Sequence, residues 1–323
     1  MANVQEELLK VNNLVMHYQT LRGPVKAVDR ISFGLKKGEA LGLVGESGCG
    51  KTSAMLSILR LLPSNARVIN GEIIFEDRNL LKIPKKEFNR NIRWKKISVI
   101  FQGAMNALHP MIPVGEQITE AIMLHEHLNQ KEASERAGKL LDLVGVGASR
   151  ISRYAHELSG GMKQRCMIAM SLASNPDLVI ADEPTTALDV IISAQVLKMI
   201  KDLQRKLNIS VIVVTHDLSM VAEICEKIAI MYAGKMVETG DIKKVFGEPK
   251  HPYTQGLIGA FPSVLGSKRV LKSIPGSPPD LLDPPRGCSF HPRCPYALEV
   301  CRKEEPGITK IEENWIVACH LYR

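Results

Sequence analysis

The chain has 323 residues, of which 45% are hydrophobic, and a formal net charge of +8 at pH 7. This length suffices for one large core or for two domains. The first twenty residues contain two acids and no unbroken apolar stretch, and no apolar run reaches the roughly 18 residues that a membrane span needs. We therefore expect no signal peptide, no transmembrane segment, and a reducing cytosolic environment in which disulfides are rare.

Four short apolar runs are predicted to be strands, because they are rich in β-branched residues and have strand length. They are EALGLV at 39–44, KISVIF at 96–101, DLVIAD at 177–182 and ISVIVVTH at 209–216. The stretch 189–207 has helical spacing, and the pattern from Val114 to about Leu143 is helical throughout, which indicates a separate helical block. Strands alternating with helices predict an α/β fold with a parallel sheet covered on both faces.

The segment GESGCGKT follows the first predicted strand and matches the pattern G-x-x-x-x-G-K-[ST]. Glycines let backbone N–H groups turn toward phosphate oxygens, and the following helix presents its positive N-terminus. Lys51 is predicted to reach the β- and γ-phosphates, and Thr52 to offer its hydroxyl to Mg²⁺. A glycine-rich turn without a ligand is the alternative. The predicted nucleotide-binding residues are Gly45, Ser47, Gly48, Cys49, Gly50, Lys51, Thr52 and Ser53.

Positive charge is concentrated between Arg78 and Lys96, where eight Lys or Arg stand against one acid, Glu87. A solvated surface is the ordinary explanation. Nucleic acid and an anionic membrane surface are the partner classes that such a charge would suit. A polybasic segment near anionic lipid contributes about 1 kcal/mol per charge, so proximity to a membrane stays open.

An acidic pair follows the third predicted strand in the string ADEP. Asp182 ends the strand, where a carboxylate can hold Mg²⁺ through water. Glu183 is predicted to orient or deprotonate the attacking water. A helix N-cap would be another explanation for Asp182 alone, but not beside a phosphate loop.

The most specific string is LSGGMKQR, which begins at Leu158. Ser159, Gly160 and Gly161 open a helix there, and bare amides with a helix dipole suit an anion. This string resembles the signature of the ATP-binding cassette (ABC) ATPases. The chain also contains the other motifs of that family in the family's order: the phosphate loop, FQ at Gln102, ADEP, ALD and TH. The resemblance covers roughly residues 8–262.

The resemblance implies roles for residues that the chemistry alone does not assign. In the family, the signature helix presses on the γ-phosphate of ATP bound to the other subunit, so that two chains enclose two nucleotides. Gln102 would sense Mg²⁺ and the attacking water, Asp189 would link the two sites, and His216 would contact the γ-phosphate. Tyr18 would stack on adenine. A packed strand tyrosine and a satisfied core histidine are the plainer alternatives for Tyr18 and His216.

The implied fold is a P-loop NTPase (RecA-like) core of the ABC type, with an inserted helical subdomain and a small irregular C-terminal metal-binding extension. The core is expected at 1–112 and 161–247, the helical subdomain at 113–160 and the extension at 248–323. Long coiled-coil insertions, typical of DNA-repair ABC proteins, have no room here. A second ATPase unit, usual in translation-type ABC factors, is absent from the sequence. A transporter subunit remains, whose helical block would receive the coupling helices of membrane subunits.

Further strings resemble the dipeptide and oligopeptide importer branch, which also contains nickel importers. They are VGESGCGKT, HPMIPVGEQI, YAHELSGGMKQR, DEPTTALDV and HPYTQGLIGAFPS. Many members have Asp-Pro after FQ, where this chain has Gly103-Ala104, so details of the membrane-subunit contact depart from the pattern. The implied partners are a second ABC ATPase subunit, identical or related, two transmembrane permeases and an extracytoplasmic solute-binding protein. The chain would lie peripherally on the cytoplasmic face of the membrane.

Two rival functions stay open at this stage. One is the same motor serving nickel or another small solute. The other is a non-transport ABC ATPase that binds nucleic acid, for which the positive charge is the only argument.

Four of the seven cysteines, in the spacing C-x5-C-x6-C-x17-C, lie near the C-terminal end. This spacing lacks the C-x2–4-C hook that is usual in zinc sites, and a metal staple would help to order a short, proline-rich tail. A [4Fe–4S] cluster, zinc and unligated thiols are all compatible with the residues, and His291 or His320 could enter a zinc site. The tail resembles that of the peptide importers, some of which hold a [4Fe–4S] cluster there. The implied ligands are Cys288, Cys294, Cys301 and Cys319, whereas Cys49, Cys166 and Cys225 are expected to have no metal role.

Overall fold

The computed structural model of the chain describes residues 7–103, 107–260 and 274–322. Ala104 and the last three letters of HPYTQGLIGAFPS lie outside the described residues. The chain divides into two compact units. The first contains Lys36–Ala40 and Lys82–Val213, and the second contains Glu7–Leu35, Leu41–Leu81 and Val214–Arg323.

The described residues form strands and helices that are numbered along the chain. The strands are β1 (Glu7–Thr20), β2 (Gly23–Lys36), β3 (Ala40–Val44), β4 (Ala66–Phe75), β5 (Arg78–Asn79), β6 (Ile97–Ile100), β7 (Leu178–Asp182), β8 (Ser210–Thr215), β9 (Lys227–Tyr232), β10 (Lys235–Asp241), β11 (Thr309–Glu312) and β12 (Trp315–Val317). The helices are α1 (Lys51–Ile58), α2 (Lys85–Asn91), α3 (Val114–His125), α4 (Gln130–Leu143), α5 (Gly160–Ser171), α6 (Val190–Leu207), α7 (Leu218–Ile224), α8 (Ile242–Gly247), α9 (Pro252–Gly259) and α10 (Glu299–Lys303).

The first unit contains two of the predicted strands, most of a third and the predicted helical block. β6 pairs in parallel with β7, whose other neighbour is β8. Every residue of β6, β7 and β8 is buried, which explains their continuous apolar character, because a parallel sheet is covered on both faces. α4 begins with a capping box between Asn129 and Glu132. The strand and helix predictions for this part of the chain are confirmed.

The second unit contains an antiparallel sheet that the sequence did not predict. Its order is β2-β1-β4-β5, and β1 pairs with β4 from Leu9 opposite Phe75 to Tyr18 opposite Ala66. The register of β1 shifts on either side of Val15. Such bulges interrupt the alternation of buried and exposed residues on which strand prediction depends.

A second set of strands in this unit carries the phosphate loop. β3 pairs in parallel with β9, and antiparallel strands follow in the order β9-β10-β12-β11. The sequence predicts β3 but only an irregular extension at 248–323. The structure instead places β11 and β12 in the sheet, and the buried Trp315 donates from Nε1 to Oε1 of Glu238 at 2.9 Å. In the described parts of the chain, no helix combines the length and apolar character needed to cross a membrane.

Candidate functional site

The predicted phosphate loop connects β3 to α1. Gly48 and Gly50 have positive φ angles of 78° and 103°, and Gly45 lies at 159°. A Cβ at Gly50 would collide with the backbone carbonyl of Ala27, so a side chain is excluded there by contact as well as by conformation. Because Gly50 is also the N-cap of α1, no side chain caps the helix, and its first N–H groups point into the loop region.

Lys51 is held inside this loop. Its Nζ donates to the carbonyl oxygens of Gly45 at 2.6 Å and Glu46 at 3.0 Å. The side chain is buried, as is that of Cys49, whereas Ser47 and Thr52 are exposed. The loop therefore holds the ammonium group among backbone oxygens.

Tyr18 contacts the helix that follows the loop. Its hydroxyl lies 3.2 Å from Oγ of Ser53, and the ring is partly exposed on β1. This contact does not test the predicted stacking of Tyr18 on adenine, which stays a prediction. His216 follows the end of β8 and is exposed, which does not match the core-histidine alternative.

Glu46 is held from both sides by residues of the C-terminal part of the chain. Its backbone N–H donates to the hydroxyl of Tyr253 at 2.9 Å, and its carboxylate receives two hydrogen bonds from Arg293, at 2.6 and 2.9 Å. Sequence analysis missed these residues. The strings HPYT and HPRC contain these two residues. In the sequence they indicated only a resemblance to the peptide-importer branch, and not a contact with the phosphate loop.

In the first unit, the acidic pair after β7 lies beside the predicted glutamine. Gln102 donates from Nε2 to Oε2 of Glu183 at 2.8 Å, and Thr186 donates to the same oxygen at 3.0 Å. Glu183 has a positive φ of 44°, an uncommon conformation for a residue with a side chain, of the kind that is often found at functional sites. Asp182 ends β7 and is buried. These contacts bring together two of the predicted catalytic residues.

The signature segment opens α5 as expected. Ser159 is the N-cap and its Oγ accepts from the backbone N–H of Met162 at 3.4 Å. Gly161 lies against Ile192, whose Cγ2 would be 2.6 Å from an added Cβ. Asp189 caps α6 by accepting from the N–H of Ile192 at 2.9 Å. Both predicted polar residues thus begin helices, and Ser159 is exposed.

The four C-terminal cysteines line one small cavity in the second unit. His251, His291 and His320 also line it, and none of the four thiols forms a disulfide. Burial raises the pKa of Cys288, Cys294 and Cys319. Burial also lowers the pKa of His251 to about 3, so its ring is neutral and its Nδ1 accepts from the N–H of Tyr253. Among the residues that the structure describes, no group of three or more His, Cys, Asp or Glu is placed to hold a metal ion.

Comparison with known proteins identifies the family. The dipeptide transport ATP-binding protein DppD of Bacillus subtilis is 46% identical over 319 residues, which cover 98% of this chain and 95% of that protein. The oligopeptide transport ATP-binding protein OppD of the same organism is 45% identical over 97% of this chain and 88% of its own length. The chain belongs to the ABC transporter ATP-binding proteins.

Two further similarities concern parts of this ABC ATPase. Residues 28–186 match the family described as ABC transporter, and residues 237–301 match the C-terminal region of the oligopeptide/dipeptide transporter family. The structure is similar, at 26% identity and a TM-score of 0.65, to a dimeric post-hydrolysis form of the ATP-binding cassette MJ0796 bound to ADP and Pi. The similarity covers 72% of this chain and 98% of that chain. The resemblance found in the motifs is confirmed.

Proposed function

We propose that this ABC ATPase is the motor subunit of an importer of dipeptides or oligopeptides. The similarity of residues 237–301 to the oligopeptide/dipeptide transporter C-terminal region supports this most directly, because it lies largely outside the nucleotide-binding motifs. The motor would act from the cytoplasmic face of the membrane with two permease subunits and a solute-binding protein. Peptide recognition would belong to the permeases and the solute-binding protein rather than to the motor, which would lie on the cytoplasmic face.

Within this function, Glu183 is the residue that activates the attacking water. Its carboxylate is oriented by Gln102 and Thr186, so that one oxygen is fixed by two donors. Lys51 and the amides of the phosphate loop would neutralise the phosphates of ATP, and His216 would contact the γ-phosphate. Mg²⁺ would bind to Thr52, Gln102 and Asp182, whose oxygen donors are those that this ion prefers.

Dimerisation is proposed to complete each nucleotide site. Ser159, Gly160 and Gly161 begin α5, where a helix dipole and N–H groups suit a phosphate. They would contact the γ-phosphate bound by the second ATPase subunit, and Asp189 would link the two sites. Closure of the dimer would then be required for hydrolysis.

The helical block is proposed as the contact for the permeases. Two large apolar side chains, Met123 and Leu124, are exposed there by 40% and 76%, and Met111, just before the block, is exposed by 76%. Leu124 and Met123 line a groove with Glu116, Glu120 and Gln130. Exposed apolar groups beside a groove favour a protein partner. We assign residues 113–160 to this subdomain, 1–112 and 161–247 to the core, and 248–323 to the extension.

The four C-terminal cysteines are proposed to hold a [4Fe–4S] cluster. Four cysteines around one cavity supply the donor set of such a cluster. Bound to iron, these thiols would lose their protons, and the cluster would tie together a segment with few regular elements. Anaerobic purification tests this proposal: absorbance near 400 nm with about four irons per chain is expected, whereas stoichiometric zinc without iron contradicts it.

Co-expression of this chain with its two proposed permease subunits and the second ATPase subunit tests the transport function. The complex is expected to hydrolyse ATP faster when a peptide-loaded solute-binding protein is added. Stimulation by a nickel-loaded binding protein instead would favour the small-solute rival. ATPase stimulation by DNA that is lost at high salt would favour the nucleic-acid rival.

A further inference from the structure

Arg293, a residue of the C-terminal extension, contacts the phosphate loop with its side chain. Its guanidinium forms a bidentate ion pair with Glu46, the second residue of GESGCGKT, at 2.6 and 2.9 Å. The arginine side chain is only 6% exposed and that of Glu46 is 25% exposed. A planar, paired and largely desolvated contact of this kind is directional and stronger than a surface ion pair.

Arg293 is itself positioned by the extension. Its Nε donates to the carbonyl oxygen of Pro275 at 2.7 Å, and its Nη1 lies 3.3 Å from the hydroxyl of Tyr232. The residue stands directly before Cys294 and three positions after Phe290, which packs edge-on against Tyr232 at 5.1 Å between ring centroids. The guanidinium is therefore held on one side by the carbonyl of Pro275 and on the other by the carboxylate of Glu46 in the phosphate loop.

A second contact reaches the same loop residue. Tyr253, which is fully buried at the start of α9, accepts a hydrogen bond from the backbone N–H of Glu46. Its ring contacts Tyr232 at 4.6 Å and Phe290 at 5.4 Å between centroids. Both functional groups of Glu46, its amide and its carboxylate, are thus held by residues from beyond position 250. In the same loop, Glu46 also accepts from Lys51 through its backbone carbonyl.

We propose that Arg293 is a positioning residue for ATP binding: through Glu46 it fixes the conformation of the phosphate loop and thereby raises the affinity for ATP. The effect follows from geometry, since a loop that binds phosphate with backbone N–H groups depends on their prior orientation. Releasing Glu46 would let the loop sample other conformations, and binding would then have to select the competent one. The inference depends on the proposed role of this loop in binding ATP.

The test measures equilibrium binding of ATP, in the absence of hydrolysis products, by the full-length chain with Arg293→Met. Affinity for a fluorescent N-methylanthraniloyl ATP analogue is expected to fall by about five- to fiftyfold, which lies within the range of coupling between contacting residues. In ATPase assays with the partner subunits, KM is expected to rise while kcat at saturating ATP stays within about twofold of the parent's. Arg302→Met, at an exposed arginine of the same extension, is the matched control and should bind like the parent.

Three further variants separate positioning from folding. Arg293→Lys keeps the charge without the planar fork, so an affinity between those of the parent and Arg293→Met is expected. Tyr253→Phe removes only the hydroxyl contact to Glu46 and is expected to weaken binding by about threefold to tenfold. In a Glu46→Gln background, Arg293→Met should cost less affinity than it does in the parent, because its partner is already altered.

The outcomes are distinguishable. A parent protein that binds no ATP would overturn the proposed function itself. A parent that binds normally, with folded Arg293→Met and Arg293→Lys proteins of equal affinity, would overturn only the positioning role. If Arg293→Met fails to fold, the Arg293→Lys and Tyr253→Phe affinities decide in the same way. Equal loss of affinity in Arg302→Met would also contradict the proposal, since it would indicate a non-specific effect of charge.

Discussion

Gln102 and Glu183, 81 positions apart in the sequence, are joined by a hydrogen bond of 2.8 Å from the amide Nε2 to the carboxylate Oε2. Thr186 donates to the same oxygen at 3.0 Å. The carboxylate is therefore oriented before any reaction, with one oxygen occupied by two donors. This arrangement is the local feature that best matches the role of a residue that activates water.

Glu183→Gln is expected to lower the ATPase rate by about a hundredfold or more, the usual contribution of a general base. ATP binding should remain, because Gln keeps the shape of the side chain and can still contact Gln102 and Thr186. Steady-state turnover with the partner subunits measures the effect. Glu135→Gln, at an exposed glutamate of α4, is the control and should hydrolyse ATP at the parental rate. Parental turnover in Glu183→Gln would show that another group activates the water.

Ser159→Asp is expected to abolish ATP-driven dimerisation without loss of stability. Aspartate caps a helix about as well as serine, so α5 should begin as before, while the new carboxylate would repel the γ-phosphate of the second subunit. Size-exclusion chromatography of the Glu183→Gln protein with its ATPase partner and ATP measures the dimer. Ser149→Asp, at another exposed serine of the first unit, should dimerise normally. A Ser159→Asp protein that still dimerises with ATP would argue against a contact across the dimer.

Leu124→Arg is expected to weaken assembly with the permeases by about tenfold or more, as at other interface positions that bury an apolar side chain. The side chain is 76% exposed and lines the groove of the helical block. Co-purification of tagged permeases measures assembly, and ATP binding by the isolated chain should not change. Glu135→Arg introduces the same group outside that groove and serves as control. Equal recovery of permease with Leu124→Arg would place the contact elsewhere.

Cys166 is expected to resist alkylation in the native protein. It is fully buried in α5, and burial raises the pKa of its thiol to about 12. At pH 8 only about one thiol in ten thousand would be ionised. Iodoacetamide labelling followed by mass spectrometry should modify Cys166 only after unfolding. Rapid labelling of Cys166 in the folded protein would contradict the burial of this residue.

The sequence predicted the features that depend on residues close together in the chain, and it missed those that depend on pairing between distant segments. The runs at 97–100 and 178–182 were predictable as strands because both faces are buried and all residues but Ser98 and Asp182 are apolar. The antiparallel sheet was missed, since the bulged register of β1 around Val15 breaks the alternation. The strands of the C-terminal tail were missed for another reason. β12 has only three residues, too few to show a pattern, and it is stabilised by pairing with the distant β10.

The same distinction applies to the site. The phosphate loop, the acidic pair and the signature serine are local strings whose chemistry can be read directly. The contacts of Glu46 with Tyr253 and Arg293 join residues 207 and 247 positions apart, and a single sequence contains no signal for such pairings. They depend on how the chain returns to the loop, which only the folded structure reveals.

The most direct measurement is uptake of a labelled dipeptide into vesicles that contain the permeases, the binding protein and both ATPase subunits. ATP-dependent accumulation is expected with the parent chain, and accumulation at the background level is expected with Glu183→Gln. The same vesicles should not accumulate labelled nickel. Peptide uptake that proceeds undiminished with Glu183→Gln, or nickel uptake without peptide uptake, would contradict a peptide importer driven by this ATPase.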